Sequence, residues 1–210
     1  MYDLEEQEQI DALKAWWKDN GRLVIVVVVA AVLAAGGTAT WRWYQRTQAE
    51  QAGQVYAALE KAARANDIKQ VRDLAGQLMD KFGSTAYGPM AALVAAKANH
   101  EAGDAKSSEA QLQWALDHAR DDDLEATARV RLAGVLLDHK KYDEALKLLE
   151  AKHPDAFDGL VADAKGDVLV AQGKTREAKA AYTLALEKLP AGSYREVVQV
   201  KRDAVAGADK

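Results

Sequence analysis

The chain has 210 residues, with 28 Lys and Arg against 32 Asp and Glu, so it lacks the basic excess that marks a nucleic-acid partner. It has no cysteine, which excludes disulfides, thiolate metal sites and a cysteine nucleophile. Only three prolines, few β-branched residues beyond residue 41 and abundant Ala, Leu, Glu and Lys argue against a sheet and for helices.

Residues 1–22 form a leader with six acids (Asp3, Glu5, Glu6, Glu8, Asp11, Asp19) and three bases (Lys14, Lys18, Arg22). The spacing predicts a short helix over roughly Leu4–Trp17, with Leu4, Ile10, Leu13 and Trp17 as its apolar members. Such a leader is either a solvated tail near a membrane surface or a docking segment for a membrane partner.

Residues 23–41 are 19 consecutive residues without a charge, closed by Arg22 and Arg42. At about 1.5 Å per residue, a helix of that length nearly crosses a hydrocarbon core of roughly 30 Å. Trp16 and Trp17 before it, and Trp41, Trp43 and Tyr44 after it, are amphipathic rings at the depth of the two headgroup layers. With Arg22 and Arg42 they are the expected interface anchors. The β-branched run 24–29 would also suit a buried strand, but a strand needs no aromatic and cationic collars. A cleavable signal would use Gly37 and Ala39, yet the leader is acidic where a signal opens with bases. An in-plane helix would carry Lys or Arg on one face, and residues 23–41 carry none. The segment therefore reads as a transmembrane anchor in contact with the lipid bilayer. Ala30/Ala34 and Ala31/Ala35 have the spacing for close helix contact, a weak signal in an alanine-rich stretch.

Residues 42–65 hold no proline and one glycine, which predicts a membrane-proximal helix continuing from the span into the domain. Asn66–Asp67 is the first turn, and Asp67 with Gln70 three residues on is a helix-start signature. Helices then alternate with short turns through residues 66–210. Every second turn closes a helix hairpin, at 66, 103, 140 and 173, in steps of 37, 37 and 33 residues. That period is the mark of a helical solenoid. The clearest repeats are about 126–153 and 159–190. In the latter, Gly166, Ala178, Tyr182, Ala185 and Pro190 follow the small and aromatic offsets of tetratricopeptide hairpins. The expected fold is all-α: one N-terminal transmembrane helix followed by a tetratricopeptide-like solenoid.

No catalytic or cofactor fingerprint is present: no HExxH, no phosphate-binding GxxxxGK[ST], no Gly-rich dinucleotide turn and no GxSxG. His100, His118, His139 and His153 are scattered, and Asp121–Asp123 with Glu125 reads as a helix N-terminus rather than a cation site. The expectation is a non-enzyme without metal or cofactor. Binding is the remaining candidate. In tetratricopeptide arrays the first helices of successive hairpins line a concave groove. That register gives Met90, Leu93, Lys97 and His100 in one unit, Thr127, Val130 and Leu137 in the next, and Leu160, Asp163, Asp167 and Val170 in the last. Either these apolar residues form a partner groove, or neighbouring helices cover them as core.

Several stretches together resemble one family. They are the acidic leader before a single span, DKFGSTAYGPMAAL (80–93), QLQWALDHARDDDL (111–124), ARVRLAGVLLDHKKYDEALKLL (128–149) and GDVLVAQGKTREAKAAYTLAL (166–186). They resemble the YfgM-like ancillary subunits of the bacterial SecYEG translocon, with Pro89 and Gly134 as small departures. The resemblance implies a protein of the bacterial inner membrane with a cytoplasmic N-terminus and a periplasmic repeat domain. It also implies association with the SecYEG translocon and a PpiD-type membrane-anchored chaperone, to help hand over newly exported proteins. A scaffold for envelope or cell-division machinery is the competing reading. Charge supports the orientation weakly, with Lys14, Lys18 and Arg22 on the leader side against Arg42 and Arg46 beyond.

Overall fold

A computed structural model describes residues 2–208, with side chains for residues 8–207. Leu4, Asp3, Glu5 and Glu6 of the leader thus have their side chains outside the described ones. The chain divides into two compact units, residues 1–48 and 49–210. Helices fill both: α1 (Tyr2–Arg64), α2 (Ile68–Phe82), α3 (Tyr87–Glu101), α4 (Ala105–His118), α5 (Asp122–Asp138), α6 (Tyr142–Leu149), α7 (Asp158–Ala171), α8 (Thr175–Lys188) and α9 (Ser193–Ala208). A short 3₁₀ turn, Asp155–Phe157, precedes α7, and there is no strand among the described residues.

In the first unit, α1 runs through the leader and the apolar segment without a break, so the leader helix does not stop at Trp17. The helix is long and apolar enough to cross a membrane. Its side chains are bare: Leu23, Val26 and Leu33 are 67%, 61% and 71% exposed. In water each such side chain forgoes about 1.5–3 kcal/mol of burial, which a hydrocarbon solvent restores. A helix also satisfies its own backbone there, and the Thr38 and Thr40 hydroxyls donate to the Ala35 and Gly36 carbonyls at 2.9 Å.

The second unit is built from four helix hairpins and a final helix. The last turns of α1 pair with α2, α3 with α4, α5 with α6, and α7 with α8; α9 packs on α8. Each hairpin turn has one geometry. Asn66, Gly103, Lys140 and Gly173 are left-handed, with φ of 54°, 78°, 59° and 74°. The next amide bonds back across the turn, from Asp67 to Ala62, Asp104 to Asn99, Lys141 to Leu136 and Lys174 to Leu169, at 2.8–3.0 Å. This is the Schellman closure, which satisfies the orphan carbonyls of the first helix. Asp67 and Asp104 then cap the second helix by accepting from the amides of Gln70 and Ser107. These four positions are the hairpin turns that the sequence period predicts. Pro89 lies in the first turn of α3, where its missing N–H leaves no bond unmade.

The same register organises the core. Seven residues before each turn residue stand Leu59, Ala96, Ala133 and Gly166, and nine after stand Ala75, Leu112, Leu149 and Tyr182. All eight are buried. Their sizes are reciprocal: Leu with Ala, Ala with Leu twice, then Gly with Tyr. At Gly166 an added Cβ would lie 2.4 Å from the Tyr182 ring. Close packing explains the exchange, since a fixed gap between two helices holds a fixed volume.

Asp121 caps α5 by accepting from Leu124 N at 2.7 Å, the role expected for the acidic run there. Further clamps are polar. Arg129, buried in α5, donates to the Lys152 carbonyl and pairs with Glu125. Glu109 on α4 accepts from Lys141 at 2.7 Å and faces His139 at 2.9 Å, tying α4 to the turn between α5 and α6.

Candidate protein-binding groove

The exposed residues of α3 and α5, Lys97 and His100 on one and Arg131, Gly134 and Asp138 on the other, show what the open side of the hairpins offers. One cavity opens between α3 and α5, and a second between α3 and the α1–α2 hairpin, with Arg131 of α5 at its edge. The first, about 490 Å³, is walled by Ala96, Leu112, Val135 and Leu137, with Lys97, His100, Arg131, Gly134 and Asp138 also lining it. The second, about 620 Å³, is walled by Ala63, Ile68, Val71, Leu93, Val94 and Ala98, with Lys97, Glu101 and Arg131. Lys97 and Arg131 line both, so the two cations stand on the boundary between two apolar hollows. Lys97 lies 3.8 Å from Glu101, a long contact, and its side chain is 71% exposed. Arg131 is exposed and pairs with no carboxylate among the described residues. His100 stands 3.8 Å from Asp138.

Of the sequence-expected groove residues, Lys97, His100 and Leu137 meet at the first cavity and Leu93 and Lys97 at the second. Met90, Thr127, Val130 and Leu160 are half-buried and line neither. The Thr127 hydroxyl donates to the Asp123 carbonyl within its own helix. Val170 is exposed and lines a separate small cavity with Thr175, Ala204 and Val205.

Three placements correct the expectation. Leu93 is 7% exposed and belongs to the core that joins α3 to α7. Asp163 is 2% exposed because α9 closes over it. Tyr194 donates to it at 2.6 Å, and Lys201 donates to both of its oxygens at 3.0 Å. Asp167 is likewise held by Lys201 and by the Tyr182 hydroxyl, each at 2.8 Å. Burial alone would lower the Lys201 pKa, but the hydrogen bonds and charges of Asp167 and Asp163 outweigh it and raise the pKa. These acids pin the last helix rather than face a ligand.

Arg131 is the residue that sequence reasoning missed. The expected stripe put its neighbour Val130 on the open side, and one residue is a rotation of about 100° on a helix. The signal available was its charge: an arginine among apolar positions reaches outward unless partners hold it in, as Glu125 and the Lys152 carbonyl hold Arg129.

The expected interface residues are all exposed in the first unit. Trp16, Trp17, Trp41, Trp43 and Tyr44 have 49–67% of their surface free, and Arg22 and Arg42 are exposed beside them. Trp41 and Tyr44 lie against each other with ring centroids 6.1 Å apart.

Comparison with known proteins agrees with this architecture. Residues 14–207 match the tetratricopeptide repeat-like domain family. The chain is similar to the ancillary SecYEG translocon subunit of Neisseria gonorrhoeae, at 33% identity over 96% of this chain and 98% of that protein. It is 33% identical to the Haemophilus influenzae protein of the same name over 88% of this chain and 90% of that one. The Escherichia coli K12 protein, also so named, is 26% identical over 93% and 94%.

Proposed function

The chain belongs to the tetratricopeptide repeat-like family of ancillary SecYEG translocon subunits, and from that premise we propose that it is a non-enzymatic, membrane-anchored scaffold of the translocon. One observation carries this reading: the relatives named as translocon subunits align with almost the whole chain, the apolar helix included. We assign residues 1–22 to the cytoplasm, 23–41 to the inner membrane, 42–65 to a membrane-proximal helix and 66–210 to a periplasmic repeat domain. Physical support for the anchor is the bare apolar surface of residues 23–41 between aromatic collars. Support for the orientation is the three leader bases, Lys14, Lys18 and Arg22, against Arg42 and Arg46.

In this reading the anchor keeps the repeat domain beside the channel exit, and the hairpins present the surface on which a PpiD-type chaperone and exported chains meet. Tethering acts through effective concentration: two partners held on one scaffold meet without any need for tight contact between them. Two experiments test it. Protease added to spheroplasts should degrade residues beyond about 60 and spare the leader; protection of the domain until lysis would reverse the orientation. Site-specific crosslinkers at Lys97 and Arg131 should capture the chaperone in intact cells, and capture only from positions in the span would remove the groove from chaperone binding.

A further inference from the structure

The cationic boundary between the two cavities specifies a ligand more closely than a general scaffold does. A hollow lined by Ala, Leu and Val takes an apolar side chain, and there is one on each side of Lys97 and Arg131. Arg131 offers a planar fork that receives a carboxylate through two parallel N–H bonds, and Lys97 adds a mobile point charge. Each hollow also has one carboxylate in its lining, Asp138 in the first and Glu101, 3.8 Å from Lys97, in the second. A second or third carboxylate on the ligand would meet these and be repelled. The first hollow also holds a polar atom in need of a partner: Ser108 is 1% exposed, and its hydroxyl makes no hydrogen bond among the described residues. A peptide ligand brings backbone N–H and C=O groups that match such a hydroxyl, which a purely apolar guest does not.

We propose that the face α3 shares with α5 on one side and with the α1–α2 hairpin on the other binds a peptide segment of a partner protein with the order apolar–acidic–apolar, its single carboxylate held by Arg131 and Lys97 and an apolar side chain in each cavity. The proposal rests on the scaffold reading above and adds the chemistry of the segment that the scaffold takes. Because the clamp is exposed, most of its selectivity is charge complementarity, and added salt weakens it.

The test uses the full chain in detergent micelles, with empty micelles as the blank, and three fluorescein-labelled peptides read by anisotropy. The first is Gly-Ser-Leu-Leu-Glu-Leu-Leu-Ser-Gly amide; the others carry Gln or Lys in place of Glu. The Glu peptide should bind on the order of tenfold more tightly than the Gln peptide, about the worth of one charge-assisted contact, and the Lys peptide most weakly. Lys97→Glu with Arg131→Glu should invert that order. Should the double reversal melt early, Lys97→Gln with Arg131→Gln replaces it and should abolish the discrimination. Equal affinity of the three peptides for the unmodified chain, or an order that neither double variant changes, overturns the charge assignment while leaving a groove that takes apolar segments. Failure of all three to bind overturns both the assignment and the groove.

Discussion

Gly166 and Tyr182 show how single residues set the spacing of a hairpin. An ideal Cβ at position 166 falls 2.4 Å from the tyrosine ring, closer than side-chain carbons ever pack, so Gly166→Ala must displace the buried Tyr182 ring or push α7 and α8 apart. Overpacking of this kind costs roughly 1–3 kcal/mol. The expected result is a lower thermal midpoint for Gly166→Ala, partly restored by adding Tyr182→Leu, which installs the Ala and Leu pair of positions 133 and 149. A single variant that melts with the unmodified chain would show that these helices have room to spare. Lys201 supplies a second test. Its loss in Lys201→Met leaves Asp163, 2% exposed, with only the Tyr194 hydroxyl. Orphaning a buried charge costs about 3–5 kcal/mol, and the partial exposure of the lysine puts this case at the low end. The measurable outcome is proteolytic cleavage within α9 before the rest of the domain yields; Asp163→Asn together with Lys201→Met should resist better than Lys201→Met alone. How much of this was legible in the sequence depends on distance along the chain. Gly166 with Ala178 and Tyr182 is local and readable. The burial of Asp163 was not, because its partners Tyr194 and Lys201 lie 31 and 38 residues away.

The hairpin turn is the element on which the domain repeats. Its left-handed residue is glycine at 103 and 173 but lysine at 140, with φ of 59°. A side chain in that conformation costs on the order of 1 kcal/mol, which Lys140→Gly relieves. Lys140→Gly should therefore raise the thermal midpoint, and Gly173→Ala should lower it; the reverse order would contradict the Schellman geometry. Three of the four turns were legible because Asn66, Gly103 and Gly173 suit φ above zero, and two of these are followed by the capping residues Asp67 and Asp104. The open face of α3 was not, because its buried residues include Ala91, Ala92, Leu93, Ala95, Ala96 and Asn99, so no single polar side marks the outside. Packing on both flanks, which periodicity does not report, decided that Leu93 goes in. The clamp from α4 to the next turn carries a pH dependence. The hydrogen bond from Lys141 holds the Glu109 pKa below the usual glutamate value, with His139 adding to it, against a smaller effect of burial. A lowered folded pKa means stability that is present above about pH 4.3, the unfolded value, and lost as pH falls through the folded pKa. Glu109→Gln should flatten that acid limb of a melting-temperature profile, and an unaltered limb would show that the clamp does not form in solution.

At the scale of the whole molecule, an apolar helix with bare side chains and a repeat domain of four hairpins belong to one chain whose relatives are translocon subunits. A lipid bilayer would restore the burial that residues 23–41 lack in water, and the sequence of the hairpins carries none of the catalytic fingerprints sought. The proposed scaffold role depends on association with the channel. It is tested most directly by solubilising membranes in mild detergent, recovering the tagged full chain at its natural level, and quantifying SecYEG in the eluate. An unrelated single-span membrane protein of equal abundance is the control. A translocon scaffold should enrich SecYEG on the order of tenfold or more over that control, about 1.4 kcal/mol of preferential association. Recovery of SecYEG no greater than with the control would contradict it.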